Sequence, residues 1–253
     1  MQIIRLNKEF ADIWAVIWKE WRELLFSRGN LRSILLSLLP SVLIFGVFLP
    51  AQVGHVWVDS PVSMVLWGWL SMLPVTAIIA DAFAGERERH TLETLLASPL
   101  SERAILFGKV AAAVGYAWLL ALIMLLVALI TVNIVVAGSG ILLYPVGVVV
   151  GGGILGLLTA TLSASIGVLV SLRAATVKQA AQQLVFASIA LTWLPLFGLS
   201  LLPMQLQESL ILSAKTGGTT RIFIFACVVL VGLDFGLLML AISRFKRSRL
   251  ILD

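Results

Sequence analysis

The sequence predicts an all-α membrane protein with six transmembrane helices and an amphipathic helix at its N-terminus. Of its 253 residues, 60% are hydrophobic and only 12% are charged, and the mean hydropathy is +1.06. A soluble domain carries about 25% charged residues. Uncharged runs of about 20 residues match a hydrocarbon core of about 30 Å. Because backbone polar groups in lipid must pair within each segment, the spans are expected to be helices.

Residues 7–28 have the pattern of a helix that lies in the membrane surface. One face is apolar and rich in tryptophan, and the opposite face is charged; the apolar face comprises Phe10, Ile13, Trp14, Ile17, Trp21, Leu24 and Leu25. Indole rings are favoured at the level of the lipid headgroups. We therefore predict an interfacial helix rather than a signal peptide, whose charged region would be much shorter.

The spans are predicted over residues of about 31–49, 62–84, 104–136, 141–172, 184–202 and 222–242, which form one domain over 1–253. In the fourth span, Gly147 with Gly151 and Gly152 with Gly156 form two G-x-x-x-G repeats, continued by Ser163 and Gly167. Small residues spaced by four let two helices approach closely. These small residues are predicted to form either a face that packs against another helix or a site of helix flexibility.

The distribution of positive charge predicts the orientation in the membrane. Sixteen of the 18 lysines and arginines lie in the N-terminal segment, in the two connections at residues 85–109 and 173–183, or after the last span. Lys215 and Arg221 alone lie on the other side. Under the positive-inside rule, both termini are cytoplasmic, and we expect a location in the plasma membrane.

The segment from Gly85 to Lys109 is the charge-dense part of the chain between two apolar spans. Leu92, Leu95 and Leu96 follow the i, i+3, i+4 spacing of a helical stripe. Pro99 is expected to end that helix, and Ser101 to cap the next one. The pattern predicts a short amphipathic helix over 86–98 on the cytoplasmic side.

This segment resembles the first intracellular loop of the ABC-2 type permeases, the membrane subunits of ATP-binding-cassette exporters, whose pattern is close to GExExGTLExLLxSPxxxxxIxxGK. Thirteen positions match: Gly85, Glu86, Glu88, Thr91, Leu92, Glu93, Leu95, Leu96, Ser98, Pro99, Ile105, Gly108 and Lys109. His90 stands where the family usually has glycine. The charged motif from Lys19 to Arg28 is also similar to the family's N-terminal helix.

The resemblance implies that residues 86–98 form the coupling helix that docks on a separate ATPase subunit. The implied contacts are Glu86, Glu88, Thr91, Leu92, Glu93, Leu95, Leu96, Ser98 and Pro99, with Arg173 and Lys178 as a second cytoplasmic contact. The chain contains no G-x-x-x-x-G-K-[ST] motif. ATP and magnesium are therefore expected on the partner ATPase, with no cofactor or metal bound by this chain.

Six spans imply a partnership with a second copy of this permease or a related one. The positive charges flank the spans instead of forming one stripe, which favours contact with membrane lipids and not nucleic acid. An intramembrane enzyme is disfavoured because no metalloprotease or serine-elbow motif occurs. The substrate is not identified by the sequence.

Asp234 is the one ionisable residue in the middle half of a predicted span. A carboxylate there costs about 2.5 to 3.5 kcal/mol on insertion scales, so it should face protein or a watery cavity. It is either a hydrogen-bonding group between helices or a functional polar site. The second possibility leaves open an alternative function, a proton-coupled secondary transporter or channel that uses Asp234.

Overall fold

The computed structural model describes residues 2–27, 39–60, 62–91, 98–136, 140–213 and 218–245, and all regular structure in these ranges is helical. In chain order, the helices are α1 Gln2–Arg22 with a π-helical turn Glu23–Ser27, α2 Leu39–Val53, α3 His55–Asp59, α4 Val62–Ala80 continued by a π-helical turn Asp81–Gly85 and by Glu86–Glu88, α5 Glu102–Val135, α6 Val146–Ser171, α7 Val177–Ser200, α8 Met204–Ser213 and α9 Thr219–Arg244.

Four of the described helices are long and apolar enough to cross a membrane: Ser63–Glu88, Glu102–Val135, Val146–Ser171 and Thr220–Arg244. They coincide with the second, third, fourth and sixth predicted spans. The described part of the first predicted span belongs to the shorter apolar helix α2, and residues 31–38 lie outside the described ranges. The fifth predicted span corresponds to α7, which is not among these four helices. The total of six spans therefore remains a prediction.

The centre of the bundle is the pair α4 and α6, which pack through small residues of α6. A Cβ atom added at Gly152 would collide with the ring of Trp67, and one added at Gly156 would lie 2.8 Å from Ser71 Oγ. Gly151 and Gly167 face Met64 and Ile79 of α4 in the same way. The predicted packing face is confirmed at these four glycines. At Gly147 it stays a prediction, because no atom of the described residues lies within 4 Å of the added Cβ.

Several helix ends meet at one end of the bundle, which we call the charged end. It comprises α1, the end of α4, the starts of α5 and α7, and the ends of α6 and α9. Phe83 near the end of α4 contacts Phe245 after α9, with ring centroids 5.7 Å apart. The described start of the predicted first connection also lies beside the second one, because Arg87 donates to the carbonyls of Leu172 and Ala174.

The starts of α1, α6 and α7 differ from the prediction by five residues or more. The fourth span begins at Val146 and not at 141, because Pro145 adopts an extended ψ of 142° and residues 141–145 are not helical. Asn133 holds this segment through bonds to both the carbonyl and the N–H of Leu142, at 2.9 and 2.8 Å. The fifth begins at Val177, and α1 already begins at Gln2.

Candidate functional site

A buried lysine joins three elements at the charged end. Lys109 lies two turns into α5, and its side chain is 1% exposed. Its Nζ donates to Glu20 Oε1 on α1 and to Glu86 Oε1 at the end of α4, both at 2.8 Å. The ring of Phe83 lies 5.7 Å from the same nitrogen, within cation–π range. We call Lys109, Glu20 and Glu86 the Lys109 cluster.

The Lys109 cluster forms because α1 crosses α5 closely at Gly108. A Cβ atom on that residue would lie 2.5 Å from Val16 Cβ, so only glycine fits the crossing without a shift. Glu20 follows Val16 by four residues and therefore stands on the same face of α1, next to Lys109. One turn further along α5, Trp21 Nε1 donates to the carbonyl of Ala112 at 3.0 Å.

Lys19 lies at the exposed rim of the Lys109 cluster. Its Nζ is 3.5 Å from carboxylate oxygens of Glu20 and Glu86 and 3.3 Å from Glu23. Partial burial lowers the pKa of Lys19, but the attraction of these three carboxylates outweighs it and holds the pKa above its ordinary value. Since the folded-state pKa is raised, its stabilisation is present below about pH 10.4 and is lost only as the pH rises through the higher value.

The two residues after Glu86 bind the second connection of the charged end. Arg87 donates to the carbonyl of Leu172 at 2.7 Å and to that of Ala174 at 3.1 Å, and so caps the end of α6. Glu88 Oε2 accepts from the N–H of Val177 at 3.0 Å, at the start of α7. A cation at a helix C-terminus and an anion at an N-terminus both complement the helix dipole.

His90 ends the α4 helix in a left-handed conformation, with φ of +55°. The N–H of Thr91 donates to the carbonyl of Glu86 at 2.9 Å, and the N–H of His90 to that of Arg87 at 3.0 Å. This pair of bonds is a Schellman motif with His90 at the position that favours glycine. The glycine usual in the resembling family fits this position without strain.

Gly85, just before this turn, lies under two charged side chains that leave no room for a Cβ atom. A Cβ atom there would lie 2.6 Å from Asp81 Oδ1 and 2.9 Å from the guanidinium of Arg89. These two side chains pair at 3.2 Å across the glycine. Both are at least one-third exposed, so the pair contributes little stability. Gly85 is itself α-helical, with φ of −67°, so the missing side chain leaves room for this pair and is not required by the backbone.

The expected helix over 86–98 differs in the described structure. Glu86–Glu88 complete the helix that begins with α4, and the chain then turns at Arg89 and His90 because the Schellman motif closes the helix. Leu92, Glu93, Leu95 and Leu96 lie outside the described residues. Ser101 caps α5 as predicted, since its Oγ accepts from the N–H of Ala104 at 3.1 Å.

The other predicted site residues fall into two groups. The first group has exposed or partly exposed residues: Glu88, Thr91, Pro99, Arg173 and Lys178, and Ser98, whose Oγ atom is nonetheless buried. Glu86 is 7% exposed, and its described contacts are made within the chain. Asp234 is 6% exposed on α9, and both its carboxylate oxygens are buried without a hydrogen-bond partner in the part of the chain that the structure describes.

Sequence reasoning missed two members of this site. Lys109 was noted only as a motif position and a positive charge, and Glu20 only as part of a charged face. The available signal was a lysine just inside an apolar span, where an unpaired cation is costly and a carboxylate partner is required. Arg87 carried no comparable signal, because its partners are backbone carbonyls.

The fold and the charged end define a multi-pass helical membrane protein with an ion-paired cluster where its connections meet. A family model described as "ABC-2 family transporter protein" matches residues 14–211. The chain therefore belongs to the ABC-2 transporter family, whose members are the membrane subunit and not the ATPase. No curated protein matches the sequence.

Proposed function

We propose that this chain is the permease subunit of an ABC-2 type exporter. Two copies, or this chain and a related one, form the translocation path in the plasma membrane with both termini cytoplasmic. Separate ATPase subunits bind ATP and magnesium and drive alternating access through the first cytoplasmic loop. Membership of the family supports a transport function and, in general, association with ABC ATPases.

The observation that carries this proposal is that Glu86, Arg87 and Glu88 each contact a different neighbouring element. Glu86 pairs with Lys109 of α5 and Lys19 of α1, Arg87 binds the end of α6, and Glu88 binds the start of α7. A displacement of the first loop would therefore reach α1, α5, α6 and α7. A merely solvated loop would leave such side chains without partners in other helices.

The docking surface that this geometry favours begins after His90. Thr91 is exposed directly after the Schellman turn, and Ser98 and Pro99 lie before the α5 cap at Ser101. The predicted leucine stripe falls between them in the sequence. We infer that these residues contact the ATPase and that the exposed Arg173 and Lys178 form the second contact, whereas Glu86 acts from within the permease.

Co-purification tests the proposal. The full chain is extracted from its native membranes as wild type, Leu95→Asp and Leu201→Asp, and the extracts are assayed for a bound ATPase subunit and for ATP hydrolysis. Leu201 is 84% exposed at the opposite end of the bundle, so its variant controls for an added carboxylate. We expect the ATPase with wild type and Leu201→Asp, and its loss with Leu95→Asp.

Retention of the ATPase by Leu95→Asp at the wild-type level would refute docking through the leucine stripe. A folded wild-type protein without any ATPase would refute the exporter proposal itself. Asp234 then supports the alternative, a proton-coupled transporter or channel, because its buried carboxylate lacks a described partner. Proton uptake into liposomes by the wild type and not by Asp234→Asn would establish that alternative.

A further inference from the structure

We propose that Lys109 is a positioning residue that makes the interfacial helix α1 move together with the first cytoplasmic loop. This inference rests on the proposed function and deepens it. The loop itself leaves α4 at Glu88 and enters α5 at Glu102, whereas α1 is remote in sequence. Lys109 is the buried group through which a displacement of that loop reaches α1, beside the half-exposed pair of Lys19 with Glu86.

The first step is the placement of the three charges. Lys109 is on α5, Glu86 ends the α4 helix, and Glu20 is on α1, so each charge belongs to a different element. The loop connects the first two of these elements directly. The same Nζ atom of Lys109 also binds Glu20, and this bond joins α1 to the other two elements.

The second step is burial. The side chains of Glu20 and Glu86 are 10% and 9% exposed, and that of Lys109 is 1% exposed. While the helices are packed, water therefore competes little with either ion pair. A buried pair that loses one partner leaves an uncompensated charge, which is strongly unfavourable. Separation of α1 from α4 and α5 is opposed by this cost.

The third step is the dependence of Glu86 on its cations. Its Oε2 atom is buried without a hydrogen-bond partner among the described residues. Oε1 receives Lys109 at 2.8 Å and lies 3.5 Å from Lys19, and Lys19 belongs to α1. Lys19 therefore leaves Glu86 if α1 moves independently, whereas Lys109 stays with it on α5. The loop end and α1 are held to one another from both sides.

The fourth step is the close packing beside these charges. Val16 fits against Gly108 with no room for a Cβ atom, and Trp21 donates to Ala112. These contacts fix α1 along α5 over more than one turn. The Lys109 cluster adds the end of α4 to this pair, so that α1, the loop ends and the start of α5 form one rigid unit.

The test compares Glu20→Gln, which removes the charge facing Lys109, with Glu9→Gln, which removes the same charge from an exposed position of the same helix. Both are made in the complete complex with its ATPase in nanodiscs. Spin labels replace the exposed Lys8 of α1 and Arg103 of α5 in a Cys227→Ser background. Distances are measured without nucleotide and in the ATP-trapped state, together with ATP turnover.

We expect the wild type and Glu9→Gln to show the same label distance in both states. Glu20→Gln should broaden or shift the distance on trapping and lower ATP turnover about fivefold or more, within the range of allosteric coupling, with the ATPase still bound. A triple variant, Lys109→Met with Glu20→Gln and Glu86→Gln, leaves no uncompensated charge and should remain folded with the same loss of turnover.

Wild-type turnover and unchanged distances in Glu20→Gln would overturn the proposal. Full turnover in the folded triple variant would also overturn it, since packing alone would then suffice. If no ATPase is present with the wild type, the exporter proposal fails. The distance distribution between labels in the isolated permease still tests the Lys109 cluster, so the two failures are distinguishable.

Discussion

Replacement of Gly152 by alanine should destabilise the bundle, whereas the same change at Gly147 should not. Both glycines belong to α6 and to the predicted G-x-x-x-G face. At Gly152 the added Cβ atom would overlap the six-membered ring of Trp67, which is 2% exposed. At Gly147 the added atom would meet nothing within 4 Å. Gly151, opposite the flexible Met64 side chain, is intermediate between them.

The matched pair isolates the cost of packing. In both variants alanine gains up to about 1 kcal/mol of intrinsic helix propensity over glycine, so this gain cancels in the comparison. Overpacking a well-filled core costs typically about 1 to 3 kcal/mol. A buried indole cannot rotate away as a methionine side chain can, so Gly152→Ala should carry this cost and Gly151→Ala should fall below it.

Thermal unfolding of the purified protein in one detergent, followed by the intrinsic tryptophan fluorescence, measures the difference. For a chain of this size, 1 kcal/mol shifts the midpoint by about 2 to 4 °C, so Gly152→Ala should melt about 2 to 12 °C below Gly147→Ala. Equal midpoints for the two variants, or a lower one for Gly147→Ala, would show that α4 and α6 do not pack through Gly152.

Three further predictions concern the charged end. Lys109→Met should cost about 3 to 5 kcal/mol by leaving Glu20 and Glu86 buried without their main cation, and the melting point should recover when both glutamates are also changed to glutamine; no recovery would contradict the ion pairing. His90→Gly should stabilise by up to about 1 kcal/mol because it relieves a left-handed residue, whereas a lower melting point would argue against the turn. Ser101→Ala should cost about 1 kcal/mol as a lost N-cap, measured against Ser101→Thr, which keeps the hydroxyl.

Most of the fold could be predicted because its signals are local. The uncharged runs located four helices that are long enough to span, and the spacing of glycines in α6 identified the face that packs on α4. Ser101 was predictable as a cap from its place after Pro99. The start of α6 was not predicted, because an apolar segment before Pro145 looks like part of a span until its bonds to Asn133 are known.

Little of the packing around the candidate site could be predicted from the sequence. Residues 85–91 and 102–109 of the charge-dense segment lie where the helix ends meet, but the sequence alone could not show which charges are buried. Glu86 and Glu88 have the same chemistry and are two residues apart, yet one faces Lys109 and the other the N-terminus of α7. That difference depends on neighbours about 20 and 90 residues away along the chain.

The geometry of three consecutive helical residues explains why this triplet can join so many elements. Successive side chains on an α-helix point about 100° apart, so Glu86, Arg87 and Glu88 cannot share one partner. Here each reaches a different neighbour, which requires the end of α4 to be surrounded by α1, α5, α6 and α7. A docking surface on this helix end is thereby reduced, which is consistent with our proposal that contacts with another subunit begin at the exposed Thr91.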